Sequence, residues 1–243
     1  MLETSKVWLK RTIRRMTGRK PRPAPAYTAV LSNLQQSPAQ LFGVIYRSKH
    51  WGGEDRDFYS GSGSHLPRMV EPFVTSVRTL LVGFPNPPVV VDLGCGDFAV
   101  GRRFVDLAQH YHACDVVPDL VARNRALFTL PNLTFHVIDA TNDPLPDGDV
   151  VIIKQVFQHL RNDQISAIVR KLQPYHTWIV TEHLPAGEFV PNLNQLASGY
   201  TRLELNSGVV LSEEPFCIRP RTTDILCEVA EGGALIRTTA YRF

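Results

Sequence analysis

From Val89 to the end of the chain, short runs of β-branched and aromatic residues alternate with stretches of helical periodicity. Val89–Leu93 is apolar at every position but the fourth, as expected of a strand covered on both faces. Further strands are predicted at His112–Val116, Leu133–Asp139, Asp149–Lys154 and Thr177–His183. Helices are expected between them, at about Val100–Gln109, Pro118–Phe128 and Asp163–Leu172. This alternation predicts an α/β fold, a doubly wound sheet of parallel strands. Asp224–Ala230 and Ala234–Phe243 read as two more strands, joined through Gly232-Gly233 in a hairpin. Upstream, Pro67–Val82 repeats apolar residues at helical spacing, and residues 27–49 read as one or two short helices broken at Pro38. Between these two regions lie Trp51-Gly52-Gly53 and a glycine-serine loop over 59–64.

Length and composition keep the picture simple. The 243 residues suit one α/β domain with extensions, and no apolar run approaches the ~18 residues that would span a bilayer. The basic N-terminus lacks the apolar segment of a secretory signal, so a cytoplasmic location is expected. Cys95, Cys114, Cys217 and Cys227 form no CxxC pair and read as reduced thiols, with no metal site. Charge is unevenly spread. Of the 26 basic and 23 acidic residues, eight and one fall in the first 25 positions, leaving 18 against 22 beyond them. Residues 1–26 therefore read as a basic arm ending in a proline-rich linker, with residues 1–22 suited to contact with an anionic membrane. The mildly acidic remainder argues against a nucleic-acid partner. It divides into a helical cap and lid over 27–88 and a core over 89–243, with an acceptor-side insert at about 184–216.

The candidate chemistry begins where the first strand ends. Asp92-Leu93-Gly94-Cys95-Gly96 is a strand running into a glycine turn, where backbone passes close to a ligand and free N–H groups face it. Gly94, Gly96 and Ala99 also satisfy a dinucleotide pattern, which keeps a nicotinamide-dependent oxidoreductase as an alternative. Asp115, 21 residues after Gly94, suits a ribose diol under either reading. Asp92 separates the two. A carboxylate before the turn fits the cationic amino-acid end of S-adenosylmethionine and would repel a pyrophosphate. Asp139, followed by Ala140, is placed to accept from an adenine amino group.

The run Val91-Asp92-Leu93-Gly94-Cys95-Gly96 resembles the first motif of the class I S-adenosylmethionine-dependent methyltransferases. Asp115 with Val116, Asp139-Ala140, and the stretch from Asp149 through Lys154 and Gln155 to His159-Leu160 are similar to the next three motifs in order and spacing. The resemblance implies a Rossmann-like seven-stranded sheet of order 3-2-1-4-5-7-6 with strand 7 antiparallel. It also implies S-adenosyl-L-methionine as cofactor, held by Asp92, Gly94, Cys95, Gly96, Asp115, Val116, Asp139, Ala140 and Gln155. One departure is Phe98, which stands where many members carry a third glycine.

The flanks bear on the acceptor. The fourth strand lacks the Asn-Pro-Pro-Tyr or Asp-Pro-Pro-Tyr run of enzymes that methylate DNA bases, and resembles small-molecule enzymes instead. A small molecule or a lipid- or glycan-pathway intermediate is expected, with transfer to oxygen slightly favoured. Trp51 and Ser60–Ser64 are expected to fold over the cofactor. Asn192 and Arg202, beyond the fifth strand, and Trp51 are candidate acceptor contacts, the arginine as a fork for a carboxylate or phosphate. His159 and His183, at two strand ends that should face the ligand crevice, are the candidate bases. A non-catalytic S-adenosylmethionine-binding scaffold is the second alternative.

Overall fold

A computed structural model describes residues 37–243 of the chain. The basic arm, its linker and the first part of the predicted 27–49 helical region lie outside the described residues. The first described helix, α1 (Pro38–Arg47), starts at the proline expected to break the pattern, because proline at the first helical position costs no hydrogen bond. Ser37 and Gln40 close a reciprocal capping box there. A loop containing a short turn at Ser62–Ser64 leads to α2 (Pro67–Val82).

The sheet follows as β1 (Val89–Leu93), β2 (His110–Asp115), α3 (Pro118–Leu127), β3 (Leu133–Val137), β4 (Val150–Lys154), α4 (Asn162–Lys171), β5 (Thr177–Pro185), β6 (Thr222–Glu231) and β7 (Ala234–Arg242). Its order is β3-β2-β1-β4-β5-β7-β6. β1 to β5 pair in parallel, and β7 runs antiparallel to both β5 and β6. Both the strand order and the antiparallel strand agree with expectation. On one face α2, the segment after the glycine turn and α3 cover Val90, Ile152 and Ile179. On the other, α4 and residues 209–218 cover Val91, Val151 and Trp178. α2, expected as part of a cap, is thus a layer of the core, and Ser76 Oγ bonds to Leu226 O of β6.

One predicted helix is absent. Val100–Gln109 forms two short 3₁₀ turns, Gly101–Arg103 and Val105–Leu107. The carbonyls that an α-helix would use are taken by side chains from elsewhere: Arg78 binds Arg103 O, and Asn132 Nδ2 binds Val105 O and Ala108 O.

Candidate active site

A cavity of about 330 Å³ opens at the C-terminal ends of β1, β2 and β4. This is the edge at which doubly wound sheets bind ligands. Asp92, Gly94, Cys95, Gly96, Asp115, Val116, Asp139, Ala140 and Gln155 all line it, as do Trp51, His159 and His183. Among the described residues no cluster of His, Cys, Asp and Glu is arranged to hold a metal ion.

The glycine turn is shaped by what surrounds it. Gly94 and Gly96 have φ of 75° and 58°. A Cβ on Gly94 would stand 2.5 Å from Val156 Cγ2, and one on Gly96 would stand 2.3 Å from Ser60 Oγ. The Asp115 carboxylate braces the turn, accepting from Gly96 N at 3.0 Å and Val117 N at 3.1 Å. Burial raises this carboxyl to about 6, and those N–H groups limit the rise. Asp92 is pushed up to about 7 by burial, although the Tyr111 hydroxyl donates to Oδ2 at 2.9 Å. Nearby Asp115 raises it further and Lys154 lowers it. Burial also raises the Cys95 thiol, leaving it protonated and unreactive.

Asp139 lines the cavity, yet its carboxylate closes its own turn. It accepts from Thr141 N at 2.9 Å, Thr141 Oγ1 at 2.6 Å and Asn142 Nδ2 at 2.9 Å. That turn ends β3 two residues before the predicted end of the strand.

The segment ahead of α2 is fastened over the glycine turn. Ser60 N donates to Asp97 Oδ2 at 3.0 Å, and Asp97 N donates back to Ser60 Oγ at 2.9 Å. His65 Nε2 lies 2.6 Å from the same carboxylate, and Tyr46 Oη lies 3.0 Å from Ser60 Oγ. Trp51 Nε1 donates to Gly199 O at 3.0 Å, tying the segment to the acceptor-side insert. The Trp51 ring also stands 5.3 Å from His159 and 6.3 Å from Phe42. Lys154, at the end of β4, reaches across the sheet edge and donates to Gly63 O at 2.7 Å and Gln155 Oε1 at 2.8 Å. Burial lowers its ammonium to about 8.

The two histidines differ. His159 Nδ1 donates to Tyr200 O at 3.2 Å, which leaves Nε2 to accept from the Gln158 amide, also at 3.2 Å. Burial drops its pKa to about 4, so it is a neutral imidazole with both nitrogens engaged. Burial also lowers His183, with Glu231 opposing, and its Nε2 has no hydrogen-bond partner.

The two acceptor-side polar candidates are corrected. Arg202 does not line the cavity. It is fully buried, and its guanidinium donates to Leu160 O, Leu193 O and Asn162 Oδ1 at 2.7–2.8 Å. Asn192, also buried, donates to Val210 O and Glu214 O, each at 2.8 Å, and accepts from Val210 N. Both side chains fold the insert from within, and neither has a free fork to offer an acceptor.

Sequence reading passed over Tyr111, Asp97, Lys154 and Glu231 as site residues. Asp97 and Lys154 adjoin recognised motifs and were open to notice. Tyr111 and Glu231 acquire their roles only through strand register and the path of the hairpin.

Residues 90–175 match a family model described as a methyltransferase domain. The matched stretch runs from β1 through α4, so this part of the chain is similar to a methyltransferase domain. Its fold is similar to that of the N-methyltransferase NodS from Bradyrhizobium japonicum, with a TM-score of 0.58 at 10% identity over 82% of this chain and 97% of that one. It is similar also to a Burkholderia thailandensis 1,6-didemethyltoxoflavin-N1-methyltransferase, with a TM-score of 0.53 at 16% identity over 93% of both chains. Human N-acetylserotonin methyltransferase gives a TM-score of 0.53 at 17% identity over 87% of this chain, which spans 61% of that longer one. No curated protein matches at the level of sequence.

Proposed function

We propose that this methyltransferase domain transfers the methyl group of S-adenosyl-L-methionine to a small molecule, with oxygen only slightly favoured over nitrogen or carbon as the accepting atom. The observation that carries the reading is convergence: Asp92, the glycine turn and Asp115 meet on one cavity, under a cover of aromatic and serine residues. Solved neighbours support it, having been determined with S-adenosylmethionine or S-adenosylhomocysteine, and two act by name on N-acetylserotonin and 1,6-didemethyltoxoflavin. The cofactor supplies a methyl group on a positively charged sulfur, and the leaving group is neutral. Asp115, whose oxygens are already oriented by two N–H groups, is assigned the ribose hydroxyls. Asp92 is assigned the ammonium, Val116 and Asp139-Ala140 the adenine end, and the Ser60–Ser64 loop the carboxylate. The rest of the rate is assigned to alignment and exclusion of water beneath the Trp51 cover.

Calorimetry tests this directly. Micromolar-range binding of S-adenosylmethionine or S-adenosylhomocysteine is expected, with none of NAD. Asp115→Ala should weaken it by about 1.5–3 kcal/mol, the scale of lost charge-assisted hydrogen bonds. Tight NAD binding without S-adenosylmethionine binding would end the reading.

Affinity should also depend on pH, with a definite sign. With its carboxyl near 7, Asp92 is mostly protonated at pH 6 in the free protein. A bound ammonium favours the ionised form, so binding expels a proton and tightens as pH rises. Between pH 6 and 7.5 the gain should be about five- to tenfold, the scale of one pKa unit. Asp92→Asn should flatten this dependence. A dependence of opposite sign would remove Asp92 from the ammonium site.

A further inference from the structure

One polar pair on the cavity wall has no part in the cofactor site proposed above. His183 comes from β5, and Glu231 ends β6 just before the Gly232-Gly233 turn. Both line the cavity, with Nε2 3.7 Å from Oε2, too far for a hydrogen bond. Buried nitrogens are nearly always satisfied, yet His183 Nε2 is buried without a partner. Arg68 approaches the other Glu231 oxygen only to 4.0 Å, and its side chain is 63% exposed, so it offsets the carboxylate weakly.

The other charges around the cavity decide what can sit against this pair. Asp92, Asp115, Asp139 and Glu231 line it, and Lys154 is the one Lys or Arg among the lining residues. Its ammonium is already bonded to Gly63 O and Gln155 Oε1. Arg202 is committed to the interior of the insert, and burial keeps His159 neutral. A carboxylate or phosphate would meet Glu231 with no free Lys or Arg among the described lining residues to compensate. The cavity is also lined by the rings of Phe42 and Trp51, which favour a flat partner.

We infer that His183 and Glu231 anchor the acceptor, and that the acceptor is a flat aromatic molecule, uncharged or cationic, that presents an O–H or N–H group bridging Nε2 and Oε2 from the cavity side. This rests on the methyl-transfer reading. A donor there satisfies the orphan nitrogen and lies beside the carboxylate. A cationic donor gains the more, because Arg68, at 4.0 Å and largely exposed, offsets Glu231 only weakly.

The test uses the full chain saturated with S-adenosylhomocysteine and three matched probes: tyramine, 4-hydroxybenzyl alcohol and 4-hydroxyphenylacetate. Binding is read by ligand-observed NMR. Tyramine and the alcohol should bind, and the carboxylate should bind at least tenfold more weakly than tyramine. Glu231→Gln should abolish the preference of tyramine over the alcohol, and His183→Phe should weaken both. Glu228→Gln, in an exposed pair with Arg237, should change nothing. Unchanged affinity for S-adenosylhomocysteine shows that each variant is folded. The inference is overturned if no probe binds the loaded protein, if the carboxylate binds as well as the amine, or if Glu231→Gln leaves the preference intact. Failure of S-adenosylhomocysteine to bind, measured before any probe is added, would instead remove the methyl-transfer reading beneath it.

Discussion

Arg202→Ala should lower the unfolding free energy by about 3–5 kcal/mol, because it leaves three acceptors in the interior of the insert without their donor. The arginine holds three separate segments at once, through Leu160 O, Leu193 O and Asn162 Oδ1. Its charge also acts on Glu182, which is 4% exposed and has neither carboxylate oxygen in a hydrogen bond. Burial drives the Glu182 carboxyl well upward, and Arg202 and the N–H groups of Phe157 and Gln158 pull it back part of the way. That makes the deficit depend on pH. A carboxyl raised on folding binds a proton that the unfolded chain has lost, so its contribution to stability falls as pH rises above the unfolded value near 4.3. Removing Arg202 raises Glu182 further and extends that fall. Urea unfolding should therefore show a deficit that grows where the wild-type Glu182 has ionised and levelled off while the alanine variant continues to lose stability with rising pH. Arg202→Lys keeps the charge but not the three-way fork, and should fall between wild type and alanine. A deficit that stays constant across the whole pH range of the folded protein would mean that Glu182 does not feel the arginine.

How much of this was legible in the sequence depends on whether the signal was local. β1 and α2 appear at their predicted bounds because a buried apolar run and a helical repeat are complete within themselves. The strand order was implied by the resemblance that the motif series carries, and no local signal gives it. β2 begins two residues early, at His110, because parallel pairing with Val89 fixes its start and no local signal does. The failed helix at Val100–Gln109 has buried Val100, Phe104 and Ala108 four apart, a truly helical pattern. Distant side chains from Arg78 and Asn132 override it. The same division runs through the site. Asp92, Gly94, Gly96 and Asp115 reach the cavity as predicted, since each sits at or beside a strand end. Arg202 and Asn192 were misplaced because an insert without regular periodicity gives no clue to which side chains turn inward. Glu231 was missed because its role depends on a hairpin that returns the chain to His183.

Phe98→Ala should also cost about 3–5 kcal/mol, and Phe98→Gly should cost about 1 kcal/mol less. That reverses the usual order, in which glycine is the worse replacement. The cause is visible at the glycine turn. Phe98 has φ of 62°, a left-handed conformation that costs a side-chain-bearing residue about 1–2 kcal/mol. A third glycine, as many members of the family carry, would adopt it freely. Here the ring offsets the strain. It is fully buried, edge-on to Phe135 at 4.8 Å, Phe128 at 5.2 Å and Tyr111 at 5.8 Å. Alanine loses that packing and keeps the strained backbone, whereas glycine loses the packing and relieves the strain, less a smaller penalty for its freer unfolded chain. Neither change removes a side chain from the cavity wall, since Phe98 faces the core behind the turn. Affinity for S-adenosylhomocysteine in Phe98→Gly should accordingly stay within a few-fold of wild type. Urea unfolding gives the order of the two variants, and calorimetry gives the affinity. If alanine proves the more stable, Phe98 is not strained in solution, and the turn has settled into a conformation that an ordinary side chain accepts.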